Sequence, residues 1–349
     1  MASPRLRRPL HLLLDWDGTL TQRDTLHLVS SIGYAHHKRH RNIHRNESES
    51  PDSQPPDPTD PPGPIDPWNE VVQMYGDDMK QHVESYQPQA SERRTVEQES
   101  AWLASLEGIE NRSVRRVEQA GFFRGVKRAE ITEAARKATD GKGLQLREGW
   151  AELFSSAASS TSSNEDVGGQ EAAEHDSKVT IISVNWSGEF IRESLLYPAN
   201  TLKGWSDEQK QKVQQVVKDM TVFANEIEEV DRPEGSLGKL SKSGEKGIRT
   251  SKDKLEYMPT KDSKRGTVVY VGDSPTDFDA LLAADVGICI RDEPMSSGQK
   301  ELSETLERVS VKVRNISEYK ASPDTNANGP TLWWARGLKE VANLIEAKG

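Results

Sequence analysis

The sequence predicts an α/β fold with a doubly wound, Rossmann-like and mostly parallel sheet, into which an α-helical cap is inserted. Three observations predict it. Short apolar runs alternate with helical stretches over the second half of the chain, a charged helical region interrupts this alternation early on, and three of the apolar runs end in polar side chains. Near-continuous apolar strands that alternate with helices are typical of a parallel sheet covered on both faces.

Five short runs rich in aliphatic or β-branched residues are predicted as strands: LHLLLD, VTIISV, MTVFANEI, TVVYVGD and DVGICI. Helices are predicted between them, over 144–157, 188–196, 207–218, 254–258 and 276–284. The segment TLWWARGLKEVANLIEA near the carboxyl end has apolar residues at helical spacing, and it is predicted to form one amphipathic helix.

The predicted core comprises residues 1–24 and 142–349, and residues 25–141 are predicted to form the helical cap. The region 68–140 is rich in Glu, Gln, Arg and Ala with spaced apolar positions, which indicates helices. Two segments, about 45–67 in the cap and about 155–177 in the core, are too polar to bury apolar surface and are predicted to be disordered.

Composition excludes several classes of function. The formal net charge of -10 over 349 residues disfavours nucleic acid and anionic membrane surfaces as partners, because both are bound mainly through Lys and Arg. Cys289 is the only cysteine, so no internal disulfide is possible. No run approaches the 18 or so apolar residues of a membrane span, and the amino-terminal apolar run is too short for a signal peptide. These observations predict a soluble, cytoplasmic protein.

Side chains that can bind metal ions and phosphate follow three of the predicted strands. They are Asp15 and Asp17 after the first, Ser183 and Asn185 after the second, and Asp273 with Asp277 after the fourth. In a parallel sheet these strand ends meet at one crevice, where ligands bind. Clustered carboxylates repel one another unless a cation neutralises them, and ligands that are all oxygen suit Mg²⁺. A carboxylate beside such an ion can attack phosphorus and form an aspartyl-phosphate.

These residues resemble the motifs of the haloacid dehalogenase (HAD)-like superfamily. LLLDWDGTLT is similar to its first motif, hhhDxDGT, VTIIS to its second and VVYVGDSPTD to its fourth, GDxxxD. The segments TLTQRDT, LREGWAELF and FANEIE resemble the phosphoserine-phosphatase-like branch, in which a helical cap follows the first motif. The resemblance covers about 9–25 and 143–320, while the cap matches only in position and helical character.

The resemblance implies a role for each matching residue. Asp15 would be the nucleophile, and Asp17 the general acid and base. Mg²⁺ would be held by Asp15, by Asp17 through its backbone carbonyl and by Asp273, with Asp277 supporting the metal shell or a lysine. The loop that binds substrate and phosphate would contain Gly18 and Thr19, Ser183 would donate to the phosphoryl oxygens, and Asn185 would either reach the phosphate or cap the following helix.

The lysine of the third motif is ambiguous in sequence. Lys254 is favoured, because TSKDKLEYM reads as the start of a helix capped by Ser251 or Asp253, and because 19 residues separate Lys254 from Asp273. Lys246 is the alternative.

The function implied is a Mg²⁺-dependent phosphatase acting on a small phosphorylated metabolite, since dehalogenases and ATPase pumps of the superfamily lack the second aspartate, here Asp17. Two alternatives stay open: a phosphotransferase on the same core, and a non-catalytic interaction protein with this fold, for which the long polar inserts are the motive. The sequence predicts neither the substrate, nor the oligomeric state, nor protein partners.

Two further features have simpler explanations. His36, His40 and His44 are four residues apart on a predicted helix and could bind a transition metal, but a solvated basic helix end is favoured. Arg124 in GFFRGV could face a substrate anion, although a surface position is favoured.

Overall fold

A computed structural model describes residues 10–48, 67–141, 143–158, 178–241, 247–259, 266–319 and 330–346. The strands are β1 (Leu10–Leu14), β2 (Lys178–Ile182), β3 (Thr221–Phe223), β4 (Glu226–Ile227), β5 (Leu240–Ser241), β6 (Thr267–Gly272), β7 (Val286–Ile290), β8 (Lys312–Asn315) and β9 (Thr331–Ala335). Seven of them form one sheet in the order β3-β2-β1-β6-β7-β9-β8, and all its neighbouring strands are parallel. β4 and β5 form a separate antiparallel pair.

The described residues also form twelve α-helices. They are α1 (Leu26–Ser48), α2 (Pro67–Ser85), α3 (Val96–Ser105), α4 (Glu107–Gln119), α5 (Arg128–Asp140), α6 (Trp150–Ala158), α7 (Gly188–Asn200), α8 (Asp207–Asp219), α9 (Ser251–Leu255), α10 (Phe278–Ala283), α11 (Ser297–Arg308) and α12 (Leu338–Glu346). The sheet grows outward in both directions from β1, so the doubly wound α/β prediction is confirmed.

Strand β1 shows why its sequence is apolar at almost every position. Successive side chains of a strand point to opposite faces of the sheet. Leu12 and Leu14 pack into one buried cluster with Phe190 of α7, whereas Leu13 packs into a second cluster with Phe278 of α10. Because helices cover both faces, all four leucines of this strand are buried, and its one polar residue, His11, is only partly buried.

One helix prediction and one strand prediction are wrong in detail. TLWWA is strand β9 and not the start of a helix, because it pairs with β7 on one side and with β8, which was not predicted, on the other. Only α12 is helical in that segment. MTVFANEI divides at Ala224 and Asn225 into β3 and β4, which belong to different sheets. In both cases pairing with other strands overrides the local pattern.

The two predicted disordered segments begin too early. Helix α1 continues to Ser48, and α6 continues to Ala158. The end of α6 is helical because Phe154 and Ala157 are buried, and because the Ser156 hydroxyl donates to the Glu152 carbonyl. The remaining parts, 49–66 and 159–177, lie outside the described residues.

Helices α1–α5 occupy the predicted cap region, and two of them pack on helices of the α/β part. Helix α5 packs on α7, and α3 packs on α9. Trp102 of α3 belongs to the same buried cluster as Ile248 of the core. Next to it the Glu99 carboxylate accepts hydrogen bonds from Arg93 and from Arg308 of α11, each at 2.7 Å. Helix α3 is therefore joined to the core by both apolar and ionic contacts.

Three other sequence features can be compared with the structure, which shows His36 buried rather than solvated. None of the described helices is long and apolar enough to cross a membrane. The His36 ring lies 3.0 Å from the Glu130 carboxylate, and the side chains of His40 and His44 lie outside the described part of the chain. Arg124 is exposed.

Glu226 places its carboxylate at the amino-terminal end of α7. The backbone N–H groups of Gly188 and Glu189 donate to it. Burial nevertheless raises the pKa of Glu226 to about 7, and the negative charge of Glu189 adds to this rise. Folding therefore favours the protonated form of this carboxyl group.

We expect Glu226→Gln to gain stability relative to the wild type as pH rises. The folded pKa lies above the ordinary value of 4.5, so the contribution of Glu226 to stability is present below pH 4.5 and is lost as pH rises through 7. The loss is at most about 3 kcal/mol, because one pKa unit corresponds to about 1.4 kcal/mol. Urea unfolding at pH 4.5 and pH 8 measures it, with exposed Glu208→Gln as the control. An equal difference between wild type and Glu226→Gln at both pH values would contradict the raised pKa.

Candidate active site

The loop after β1 is shaped by one glycine. Gly18 has a φ of 77°, and a Cβ atom there would lie 2.3 Å from Oδ2 of Asp273, closer than any side chain allows. The Gly18 N–H donates to the Thr21 hydroxyl at 3.1 Å, which closes the turn. Glycine therefore lets the loop lie directly against the end of β6.

A buried lysine joins the ends of two motifs. The Lys254 ammonium donates to Oδ1 of Asp15 and to Oδ1 of Asp277, each at 2.7 Å. One carboxylate oxygen each from Asp15, Asp273 and Asp277 lies within 4.8 Å of the others. Of the two lysines considered for the third motif, Lys254 is therefore the one at the carboxylates, and Lys246 lies outside the described residues.

Asp277 uses all of its hydrogen-bonding capacity within the protein. Its Oδ1 accepts from the Lys254 ammonium and from the Tyr270 hydroxyl, both at 2.7 Å. Its Oδ2 accepts from the backbone N–H groups of Asp273 and Ser274 at 2.9 and 3.1 Å. A carboxylate has about four lone-pair sites, so this arrangement leaves none for a metal ion. The geometry favours Asp277 as the support of Lys254 over Asp277 as a direct ligand.

The other two carboxylates keep free oxygens that fit a small, hard cation. Asp273 accepts a hydrogen bond from the Thr19 hydroxyl through Oδ1, and Asp15 accepts from Lys254 through Oδ1. No described residue donates to Oδ2 of either aspartate. Mg²⁺ in proteins is typically bound by one or two carboxylates, with water completing its shell. The chain could therefore hold Mg²⁺ through Asp15 and Asp273.

The cluster carries more negative charge than its lysine balances. Burial, together with repulsion from Asp277, raises the pKa of Asp15 well above its usual range, and the same two causes raise the pKa of Asp273 to about 7. Burial works against the charge of Lys254, but Asp15 and Asp277 outweigh it and raise the pKa of the ammonium. A bound divalent cation would supply the missing positive charge.

Asp17 is held apart from the three clustered carboxylates. Its Oδ1 accepts from the backbone N–H and the hydroxyl of Thr25 at 2.7 and 2.6 Å, and its Oδ2 accepts from the Asn185 amide at 2.9 Å. Burial raises the pKa of Asp17 to about 6, and repulsion from Asp24 adds to the rise. A carboxyl group in this range can both give and accept a proton near neutral pH.

The loop after β2 brings Ser183 and Asn185 to the same edge. The buried Ser183 hydroxyl oxygen accepts from the Asn185 backbone N–H at 3.1 Å, so its own proton remains available for another acceptor. The Asn225 amide, beyond β3, donates to the carbonyls of Asn185 and Ile248 at 3.0 and 2.9 Å. Asn225 thereby ties this loop to the segment before α9.

Helix α9 begins at Ser251, three residues earlier than the predicted range of 254–258. The cap residue is Thr250, whose hydroxyl accepts from the Asp253 N–H, so the prediction of Ser251 or Asp253 as the cap is wrong. The Asp253 carboxylate accepts in return from the Thr250 N–H at 2.8 Å. This reciprocal cap fixes a short helix whose single inward cation is Lys254.

Three residues of the site were not singled out in the sequence. Thr25 binds Asp17, Tyr270 binds Asp277, and Arg147 binds the carbonyls of Gly18 and Thr19. Each lies within a segment that looks like ordinary strand, turn or helix start. Thr25 and Tyr270 lie eight and seven positions from their partners, and Arg147 lies 128 and 129 positions from its carbonyls. Neither kind of contact leaves a periodic pattern in the sequence.

The sheet order decides the fold. The three strands that carry the motif residues are neighbours, β2-β1-β6, and Asp15 and Asp273 follow β1 and β6 at the point where the order of connections reverses. The fold is the doubly wound one that the resemblance of the motifs to HAD-like proteins implies. Lys254 reaches the same point from α9, which completes the arrangement that the motifs imply.

Known proteins resemble this chain only distantly. No protein-family model matches it, and no curated protein sequence does. A substrate-bound phosphoserine phosphatase complex matches 86% of this chain and 98% of its own length at 13% identity and a TM-score of 0.34. A HAD family hydrolase from Salmonella enterica serovar Typhi matches 83% of this chain and 65% of its own at 12% identity and a TM-score of 0.37. These likenesses are too weak to bear on activity, and the fold rests on the sheet order.

Proposed function

We propose that this chain is a Mg²⁺-dependent phosphatase that hydrolyses a phosphate monoester of a small metabolite through an aspartyl-phosphate. One observation carries the proposal. A buried lysine lies between Asp15 and Asp277, beside Asp273, where parallel strands end at a reversal of connection order. Burying this much charge costs several kcal/mol per ion, which a purely structural role does not require.

The first chemical step is assigned to Asp15 and Asp17. A carboxylate oxygen of Asp15 forms a bond to phosphorus, and the bond between phosphorus and the leaving alcohol breaks. Asp17 gives its proton to the alcohol oxygen, a transfer suited to a pKa of about 6. When bound, Mg²⁺ would offset the repulsion between Asp15 and the phosphoryl oxygens.

The second step reverses these roles. Asp17, now ionised, takes a proton from a water molecule as the water oxygen attacks phosphorus, and Asp15 leaves with its carboxylate restored. Lys254 holds Asp15 in place and balances charge, while Ser183 donates its free hydroxyl proton to a phosphoryl oxygen. In this proposal the Asn185 side chain orients Asp17, and the backbone N–H of Thr19 lines the phosphate site, while Gly18 shapes the loop through its bond to Thr21.

The proposal includes the division into core and cap. Helices α1–α5, within 25–141, would cover the site, exclude water and select the substrate, while the α/β remainder carries the chemistry. A cytoplasmic location and a small phosphorylated substrate are parts of the same proposal.

A hydrolysis screen tests the function. Purified protein is incubated with a panel of phosphorylated metabolites and a generic aryl phosphate, and inorganic phosphate is measured with Mg²⁺ and after removal of metal by EDTA. Hydrolysis that needs Mg²⁺ supports the proposal. Transfer of phosphate to added alcohols in preference to water would indicate a phosphotransferase, and no turnover on any ester would favour an interaction protein.

We expect Asp273→Asn to weaken Mg²⁺ binding by roughly 10- to 100-fold, the scale typical of losing a group that supports a metal site. The variant keeps an acceptor for the Thr19 hydroxyl but loses the anionic oxygen that faces Asp15. Calorimetric titration with Mg²⁺ measures the affinity directly, and the Mg²⁺ dependence of turnover provides a second measurement. Exposed Asp207→Asn is the control. Unchanged affinity in Asp273→Asn would remove Asp273 from the metal site.

A further inference from the structure

Arg147 is a buried arginine at the back of the loop that follows β1. It precedes α6, and its guanidinium group donates to backbone carbonyls of the loop: Nε to Thr19 at 3.0 Å and Nη2 to Gly18 at 2.7 Å. The Arg147 backbone N–H also donates to the Leu20 carbonyl at 2.8 Å. One residue therefore satisfies three successive carbonyl groups of a loop that has no regular partner strand.

The guanidinium group is itself fixed from the opposite side. Both of its terminal nitrogens donate to the Asp292 carboxylate, which follows β7. Asp292 accepts a further hydrogen bond from the Gln299 amide of α11 at 2.8 Å, and its backbone N–H donates to Gln299 Oε1 at 2.9 Å. A bidentate pair with a carboxylate gives the arginine one orientation. Arg147 is thus connected to Gln299 of α11 through Asp292, and these hydrogen bonds hold the guanidinium group in one position against the loop.

The loop is held on its other side by Asp273. The Thr19 hydroxyl donates to Asp273 at 3.0 Å, and Gly18 lies so close to the Asp273 carboxylate that a Cβ atom would not fit. Peptide groups are planar and trans, so fixing the Gly18 carbonyl on Arg147 directs the Thr19 N–H to the opposite side of the chain. Arg147 and Asp273 together determine the position of the segment that follows Asp17.

We propose that Arg147 is a positioning residue for phosphoryl transfer, one that fixes the Gly18 and Thr19 peptide groups and through them the place of Asp17 relative to Asp15. This inference rests on the proposed function. The described hydrogen bonds of Arg147 go to loop carbonyls and to Asp292 and not to Asp15 or Asp17, so it holds the loop through the backbone, and its charge also acts on Asp273. A lysine cannot replace it, because a single ammonium lacks the planar fork that binds two carbonyls and a carboxylate at once.

Kinetics of Arg147 variants provide the first test. We expect Arg147→Ala to lower kcat on a generic aryl phosphate by roughly 10²-fold, the scale of a displacement of about 1 Å in a reacting group. KM should change less than kcat, because Ser183 and Lys254 keep their places and only the Gly18–Thr19 segment shifts. Arg147→Lys should recover little of the lost rate. Millimolar guanidinium should partly restore kcat in Arg147→Ala and leave the wild type unchanged.

Arg192→Ala is the matched control. Arg192 also donates to backbone carbonyls, those of Val217 at 2.7 Å, Lys218 at 3.2 Å and Met220 at 3.0 Å, but at the end of α8. The Arg192→Ala variant should have a lower urea midpoint of unfolding, but the kcat of its folded fraction should equal that of the wild type. An equal effect of Arg192→Ala and Arg147→Ala on kcat, or no rescue by guanidinium, would overturn the positioning role.

Hydrogen exchange gives a test that does not depend on turnover. In Arg147→Ala the backbone amides of residues 16–22 should exchange at least about tenfold faster than in the wild type, whereas Arg192→Ala should leave them unchanged. Unaltered exchange in Arg147→Ala would refute the inference. If the wild type hydrolyses no ester, the proposed function fails, and exchange in 16–22 still decides whether Arg147 positions the loop.

Discussion

Asp15→Asn is expected to abolish phosphate-ester hydrolysis, by at least about 10³-fold in kcat, while the chain stays folded. An amide is a far weaker nucleophile than a carboxylate and cannot form the aspartyl-phosphate. The substitution keeps the size of the side chain and one oxygen that can accept from Lys254. It also removes a carboxylate whose pKa burial raises, so the fold loses a strained charge as well as an ion pair.

Three measurements on Asp15→Asn establish the result. Turnover of an aryl phosphate gives the rate, the urea midpoint gives the stability, and mass spectrometry of quenched wild type detects a phosphoryl group on the peptide that contains Asp15. Asp207→Asn, the same change on an exposed residue of α8, is the control and should behave like the wild type. Full activity of Asp15→Asn would exclude the covalent mechanism.

Lys254→Met is expected to lose both activity and stability. The methionine fills most of the volume of lysine, but Asp15 and Asp277 then share a buried space with no cation between them. Removing one partner of a buried ion pair typically costs about 3–5 kcal/mol, and here two carboxylates lose the same partner. The free energy of unfolding from urea titration should fall by that amount, and turnover should fall with the loss of the charge that holds Asp15.

Two other lysine variants make this prediction specific. Lys252→Met changes an exposed lysine two residues away on the same short helix and should leave stability and turnover close to those of the wild type. Lys246→Met tests the alternative lysine of the third motif and should also keep turnover. Loss of activity in Lys246→Met with full activity in Lys254→Met would reverse the assignment.

The chemistry of the site was predictable where it depends on residue type at a strand end. Asp15 and Asp273 each follow a short apolar run, and parallel strands place their carboxyl ends together, so sequence alone brings them near each other. Lys254 could be selected from several lysines because a helix start precedes it. The function of Asp277 was left open in sequence, and only its four hydrogen bonds show that it supports Lys254.

The remaining features depend on contacts between distant segments. Thr25 resembles any threonine at a helix start, and only the fold shows that it holds Asp17. Strand β9 has the spacing of a helix, and it is extended because β7 and β8 offer backbone partners on both sides. Arg147 looks like an ordinary arginine before a helix. Its role is not visible in the sequence, because the carbonyls that it binds are more than 100 positions earlier. Hydrogen bonds of this kind leave no periodic pattern in the chain.

The packing of α3 against α9 has a consequence for engineering. Trp102 and Ile248 share one apolar cluster, and Glu99 is paired with arginines from both regions. A chimera that took its specificity helices from another enzyme would leave Ile248 facing water and Arg308 without its acidic partner. A chimera at this boundary must therefore either keep an equivalent of the α3 surface or include a redesigned α9, the helix that bears Lys254.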